Sequence, residues 1–448
     1  MIKLNKELFQ SQLKMRRARQ VAIQRGLISI LDVGSSKITC FVLSFDGSGE
    51  FKDSDGIGPM SGQSSFRIIG VATTRSRGVR FGEIESIHEA ERAIRTVVQA
   101  SQKMAGTRVD HVIATFSGAR PRSYGLEGRS ELVDGIVTDE SISRVVASSE
   151  VPNIGVGREI LHAQPVNFSI DNRSGLIDPR GQAGNALSVD IHMLTVGSIA
   201  VENLLYCLQR CDLEVAGLVS SSYCSGMSSL VEDEQELGAA CVDLGGGSTG
   251  ISIFLKKHMI FSDSIRLGGN HITNDISHGL HIDFSTAERI KTFYGGVLAT
   301  GMDDKEVIDL RSDTGDWEHD SRSVSRADII GIVRPRVEEV LEEVKERLEV
   351  AGFNSLPSQR VVLTGGGSQL EGLDGLASKI LGQQVRLGRP LRIQGLPQSA
   401  TGSAFSSCVG ASLFATSPQD EWWDFGIPAS SYPAKSIKRV AKWFKENW

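Results

Sequence analysis

The chain has no run of 18 or more apolar residues, which excludes a hydrophobic helix able to span a bilayer. It has no CxxC pair and no cysteine–histidine set at metal-ligand spacing. Its six cysteines (Cys40, Cys207, Cys211, Cys224, Cys241, Cys408) are scattered and read as buried thiols of a reducing compartment. The P-loop pattern GxxxxGK[ST] is missing, and no GxGxxG opens a helix after a strand, so P-loop and dinucleotide-binding readings fail. The opening MIKLNKELFQSQLKMRRARQ lacks the apolar core of a secretory signal.

What is present is ordinary in bulk and unusual in arrangement. With 448 residues, 40% hydrophobic and 23% charged, the chain can bury a large core and form several domains. Its net charge is −6, yet residues 1–26 carry +6 and residues 435–448 carry +4, which leaves −16 on residues 27–434. A nucleic-acid binder needs a basic stripe on its folded body, so nucleic acid is excluded as a partner. An acidic body with two basic ends fits ends that touch something anionic while the body stays off it.

Three glycine segments interrupt apolar strands. In ISILDVGSSKITCFVLSF (28–45), Asp32 ends one strand and Gly34-Ser35-Ser36-Lys37 is a hairpin tip. ACVDLGGGSTGISIF (240–254) repeats the design with Asp243 and Gly245-Gly246-Gly247-Ser248-Thr249, which points to two related halves. In VVLTGGGSQLEGLDGLASKI (361–380), a strand passes through Gly365-Gly366-Gly367 into a helix. Ser368 and Glu371 have the spacing of a capping box there. Glycine backbones let N–H groups approach a phosphate, and Ser and Thr hydroxyls add donors. Lys37 can meet terminal phosphates, while Asp32 and Asp243 suit orienting the waters of Mg²⁺. Any one segment alone could be a tight turn; the three in this order favour a nucleotide site.

These segments, with SYCSGMSSLVEDEQELG, RLGGNHITNDI and AERIK, resemble the nucleotide-binding fold of the actin, heat-shock-chaperone and sugar-kinase superfamily. Within it the chain is similar to the FtsA family of bacterial division proteins, from about Leu27 to Leu413 and again over the last fourteen residues. The resemblance implies an α/β, actin-like ATPase fold: two related RNase H-like halves around a nucleotide cleft, with inserted subdomains. It implies ATP and Mg as cofactors, with Glu288 and Lys291 beside the adenosine and Gly365–Gly367 facing the adenosine and α-phosphate. It also implies a first actin-like subdomain from 27–117 and 196–235, an inserted subdomain at 118–195 used between protomers, a third from 236–269 and 336–416, and a fourth at 270–335. The last would receive the C-terminal tail of FtsZ, the tubulin-like ring protein, at Asn270, Arg326 and Arg336. Arginines that fork onto carboxylates suit such a peptide, though they could equally be solvated partners of an acidic helix. In one respect the chain departs from hydrolysing relatives. SSSYCSGMSSL at 220–230 offers serines where they place a Glu or Gln to position water, so ATP binding is expected and turnover, at most, slow.

Outside the motifs, residues 1–26 form a basic arm whose apolar positions do not line one helical face cleanly, and solvated disorder is expected. Residues 46–65 read as a mobile hairpin tip. A helix is expected over 85–105, closed by Gly106, and another ending at Gly352. His162 and His192 have no second ligand type at metal spacing and read as structural. Residues 417–434 have a Pro-rich linker composition. In KSIKRVAKWFKENW, a helical wheel gathers Ile437, Val440, Phe444 and Trp448 on one side, Trp443 at the border and the cations opposite, the pattern of a helix lying in a membrane surface.

The expected function is therefore an ATP-binding protein that polymerises on the cytoplasmic face of the inner membrane at the division site. There it would anchor FtsZ and recruit later division proteins, as the resemblance implies. The rivals are another ATPase or kinase of the superfamily, a heat-shock-type chaperone, and a pilus-assembly or cell-shape actin homologue.

Overall fold

The computed structural model describes residues 2–45, 66–171, 173–310 and 323–425, with side chains from residue 12 onward. The expected hairpin tip at 46–65 and the segment 435–448 lie outside the described residues.

Two five-stranded sheets share one topology. In the first, the spatial order is Phe66–Arg75, Lys37–Phe45, Leu27–Val33, His111–Phe116, Glu214–Ser220. The first three are antiparallel neighbours and the last two run parallel to Leu27–Val33. The second sheet repeats this with His258–Ile265, Thr249–Leu255, Ala239–Leu244, Arg360–Thr364 and Gln384–Leu387. Their strands are near-continuous apolar runs because both faces are covered by helices. Each sheet has its own apolar core, one built around Ile30, Phe41 and Ile113, the other around Val242, Ile253 and Leu363.

Helices close these cores by the expected periodicity. Ile87–Ala105 buries Ala90, Ile94, Val97 and Val98, and Gly106 ends it at φ 67°, a left-handed backbone that suits glycine. The long helix Arg326–Val350 buries Val337, Val340, Leu341, Val344 and Leu348, and it runs through Pro335 from a capping box at Ser325 and Asp328. Between the fourth and fifth strands of the first sheet, the chain builds a four-stranded antiparallel sheet in the order Arg122–Glu131, Ala186–Gly197, Arg158–Ile170, Arg173–Leu176. The helix Asp139–Ala147 covers it.

Three expectations are corrected. Residues 2–24 are not disordered: they form a 23-residue helix, Ile2–Gln24. Met15 and Ala22 pack into the first core, while Gln12 and Arg19 are buried beside them. The wheel looked poor because its buried face is partly polar. The Arg19 guanidinium lies 4.9 Å from the centre of the Phe414 ring, and burial lowers its pKa to about 10. The second correction concerns the linker. Its first part, to Phe425, is docked, with Trp422 buried in the core of the inserted sheet. Glu421 accepts hydrogen bonds there from Ala163 N at 2.6 Å and Gln164 Nε2 at 3.0 Å. Third, the capping box at Ser368 and Glu371 does not form. A 3₁₀ turn, Gly366–Gln369, follows the strand, and the helix begins at Leu373.

Candidate nucleotide cleft

The two sheets present matching hairpins to one another. In the first, Asp32 pairs with Thr39 and the Gly34 N–H donates to Lys37 O at 3.1 Å. In the second, Asp243 pairs with Gly250 and the Gly245 N–H donates to Ser248 O, also at 3.1 Å. The two tips touch. A Cβ on Gly246 would stand 2.6 Å from Ser36 Cβ, and one on Gly247 2.5 Å from Ser35 Oγ. Among the described residues, the N–H groups of Ser36, Gly246 and Gly247 donate to no other group of the chain. A cradle with free backbone donors and no room for Cβ atoms fits a chain of phosphates.

The third glycine turn closes the same space. Gly365 has φ 84°, and a Cβ there would lie 2.2 Å from Asp243 Oδ1, so only glycine lets this strand end reach the carboxylate. Ser368 Oγ donates to Gly365 O at 2.8 Å and holds the turn.

A cavity of about 360 Å³ lies between these loops, in the range of small-ligand sites. It is lined by Asp32, Gly34, Ser35, Ser36, Lys37, Asp243, Gly245, Gly246, Gly247, Ser248, Glu288, Lys291, Gly365, Gly366 and Gly367. Of the sequence-selected nucleotide residues, Thr249 alone is turned away: it is buried and its hydroxyl donates to Leu267 O at 2.9 Å.

The two aspartates have different surroundings. Asp32 Oδ1 accepts from Thr115 Oγ1 at 2.5 Å and Ser407 Oγ at 3.2 Å. Asp243 Oδ2 accepts from Ser225 Oγ at 2.5 Å. Burial pushes the Asp243 carboxyl up to about 6, Ser225 opposes that rise, and the charge of Asp32 adds to it. Lys37 sits between them electrostatically and its pKa is lowered, chiefly by burial; its Nζ lies 3.4 Å from the centre of the Phe405 ring. Two aspartates facing one cavity, Asp243 disfavoured as an anion by its burial, beside a free phosphate cradle, fit a hydrated divalent cation. Among the described residues there is no group of three or more His, Cys, Asp or Glu placed to enclose a metal. Thr115, Ser225 and Ser407, which hold the aspartates, are not among the sequence-based expectations, although SSSYCSGMSS and SAFSSC carry the two serines.

On the opposite wall, Lys291 Nζ donates to Glu288 Oε2 at 2.6 Å, Thr273 Oγ1 at 2.7 Å and Gly269 O at 3.1 Å. Thr273 Oγ1 itself donates to Glu288 Oε2 at 2.5 Å. Helices Gly269–Leu280 and Phe284–Tyr294 supply this network, which presents an acceptor and a cation to polar groups of a ligand. The serine helix Ser221–Ser229 lies against the second hairpin and offers hydroxyls, with Ser225 committed to Asp243. It brings no carboxylate or amide to the cavity.

At the rim, Phe81 stacks on His271 with ring centres 5.9 Å apart, and Glu83 pairs with Arg266. Both contacts join one half to the other.

The positions selected for a peptide partner do not form one cluster. Asn270 lines the nucleotide cavity. Arg326 and Arg336 stand on the long helix, ten residues or about 15 Å apart along its axis. Arg336 forks onto Asp275 at 2.7 and 3.0 Å, and Arg326 bonds Asp303 at 2.8 Å and pairs with Glu371. Arg336 already holds the kind of fork a carboxylate partner would take, and Arg326 is shared between two separate carboxylates. The membrane-facing set Ile437, Val440, Trp443, Phe444 and Trp448 lies outside the described residues. No helix among the described residues is long and apolar enough to cross a membrane.

The two histidines are structural. His162 Nε2 accepts from the Ser220 N–H at 3.1 Å, so its Nδ1 carries the proton and donates to Glu421 Oε1 at 2.9 Å. His192 is buried, which lowers its pKa to about 3, and its Nε2 lies 2.9 Å from Ser123 Oγ.

Comparison with known proteins agrees with this architecture. Residues 240–410 match the family model of cell division protein FtsA, and residues 118–195 match that of the SHS2 domain inserted in FtsA. The chain is 37% identical over 431 residues to cell division protein FtsA of Agrobacterium fabrum, covering 94% of this chain and 95% of that one. Among solved structures, it superposes on a chain of the PilM–PilN type IV pilus biogenesis complex with a TM-score of 0.58 at 15% identity, over 87% of this chain and 99% of that one. It superposes on MreB 5 of Spiroplasma citri bound to AMPPNP with a TM-score of 0.50 at 13% identity, over 93% and 98%. The fold is that of the actin-like ATPases.

Proposed function

The chain belongs to the FtsA family of cell division proteins, and from that premise we propose that it binds ATP with Mg²⁺ in the cleft and, assembled in many copies on a membrane, holds the FtsZ ring there. Gly34–Lys37 and Gly245–Ser248 would hold the phosphates through backbone N–H groups and serine hydroxyls. Glu288, Lys291 and Gly365–Gly367 would hold the nucleoside side, and Asp32 and Asp243 the waters around the ion. Magnesium, when bound, supplies positive charge to the phosphate oxygens and relieves the repulsion between the two aspartates.

One observation carries the nucleotide reading: two glycine tips from separate sheets meet with free N–H donors, and a third glycine turn seals the space behind them. The same geometry supports binding over hydrolysis, because the helix beside the second hairpin offers only serine hydroxyls. Calorimetric titration with ATP, with and without Mg²⁺, tests it. Micromolar binding that strengthens with the ion is expected, and no binding to the folded protein would remove the proposal.

For membrane attachment, the support is the terminal amphipathic sequence. Each basic side chain near an anionic leaflet contributes about 1 kcal/mol, and each partly immersed apolar one about 1–2 kcal/mol before ordering costs. A single tail binds weakly and reversibly, while many tails on a linear assembly bind firmly through effective concentration. Liposome flotation of the full chain and of a form lacking 435–448 tests it; equal flotation would sink the tethering. Capture of FtsZ would use Arg326 and Arg336, whose present carboxylate partners an acidic peptide could replace. Charge reversal of both should then abolish co-pelleting with FtsZ. Recruitment of later division proteins rests on family membership alone.

A further inference from the structure

We propose that the solvent-facing ridge of the N-terminal helix is a second contact for an anionic lipid surface, acting alongside residues 435–448; this rests on the membrane reading above. Over its described side chains, from Gln12 onward, the helix Ile2–Gln24 is docked on one side. Met15, Arg19 and Ala22 face the core, and Lys14 and Arg17 point the other way, about 60° apart around the axis. Arg25, in the turn that follows, is exposed as well, and so are Gln20, Val21 and Gln24. Between Gln12 and Gly26 the sequence contains no acidic residue. Against a body of −16, this is an isolated cationic ridge with an exposed valine in it.

Its position relative to the tail selects the occupant. Arg16, on the flank of the helix, forms an ion pair with Asp424, and Trp423 lies against the same helix beside Gln12 and Met15. The described chain ends one residue later, at Phe425. Residues 426–434 then separate it from the terminal basic segment, and nine residues span at most about 30 Å. The helix itself is about 34 Å long. Chain length therefore holds the start of the terminal segment no farther from Phe425 than the helix is long. A lipid surface that attracts the five cations of 435–448 attracts these three by the same force. The helix would thereby also limit how the body can tilt, because two separated contacts define an orientation and one does not.

The experiment is vesicle flotation of the full chain, comparing native protein with Lys14→Glu/Arg17→Glu/Arg25→Glu, on phosphatidylcholine alone and mixed with phosphatidylglycerol. Loss of partitioning on the anionic vesicles by roughly ten- to hundredfold, with none on the neutral ones, is expected. The corresponding Gln triple variant, which cannot repel lipid, should fall in between. Native-like flotation of the Glu variant overturns the ridge contact and leaves the tail's role standing. An equal loss on both vesicle types overturns it too, because the effect is then not electrostatic. Normal flotation with lost self-association in lipid-free sedimentation assigns the ridge to a second copy instead. If the chain lacking 435–448 floats like the native one while the Glu variant does not, the tail reading fails and the ridge stands.

Discussion

The hairpin at Asp32 and the hairpin at Asp243 are built alike and work under different conditions. Each carries an aspartate one residue before its strand ends and crosses to its partner strand through a glycine whose N–H reaches a carbonyl three residues on. Among the described residues, Asp32 receives two hydroxyl donors, from Thr115 and Ser407, whereas Asp243 receives one, from Ser225, and burial raises its pKa to about 6. Duplicated geometry has therefore not produced duplicated chemistry. The first aspartate is held ready by its neighbours, and the second is left short of stabilisation that a bound cation can supply.

The largest effect should come from forcing the two tips apart. Gly246→Val puts carbon where Ser36 already stands, and ATP affinity by titration calorimetry should fall by more than about a hundredfold, with the fold retained by circular dichroism. Gly366→Ala, whose Cβ would meet only Ala404 at 3.8 Å, should bind normally.

The aspartates should next respond in opposite ways. Asp243→Asn removes a disfavoured charge, so the ligand-free protein should melt higher by about 1–2 kcal/mol of stability while Mg²⁺-dependent ATP affinity drops roughly tenfold or more. Asp32→Asn weakens two hydroxyl bonds to a carboxylate and should cost about 1–3 kcal/mol in the ligand-free state. Equal shifts of the two melting curves would erase the distinction between the hairpins.

A pH series sharpens the same contrast. Asp243 has a folded pKa above its unfolded one, so its contribution to ligand-free stability is complete below the ordinary carboxyl range and is lost as pH rises through about 6. Mg²⁺-dependent affinity should move the other way, falling up to about tenfold from pH 7 to pH 5. In Asp243→Asn that slope should flatten. The smallest change belongs to Phe405→Leu, which removes the ring beneath Lys37 and should weaken ATP binding about two- to fivefold.

Legibility followed locality. The glycine segments, the apolar faces of Ile87–Ala105 and Arg326–Val350, and the pairing of two halves could be read because strand pattern, turn chemistry and helical period are written in neighbouring residues. Thr115, Ser225 and Ser407 could not, since each is brought to its aspartate from a different element. Asn270 was selected for a partner surface and lies in the cleft, because the turn at Gly268 folds it onto the second hairpin, where its N–H donates to Gly246 O at 2.7 Å. The basic arm was misread for a related reason. A helix that buries an arginine against Phe414 does not show a clean apolar stripe.

By itself, the sequence determined the phosphate-cradling backbone and the apolar periods, which depend on the intrinsic freedom of glycine and on residues a few positions apart. It also determined the sign of charge at each end of the chain. Tertiary structure alone decided which aspartate is buried as a reluctant anion, that residues 2–24 dock as a helix, and that residues 417–425 are held beside it. Each of those outcomes turns on desolvation and long-range pairing, and a group's loss of water is set by whatever the fold places around it.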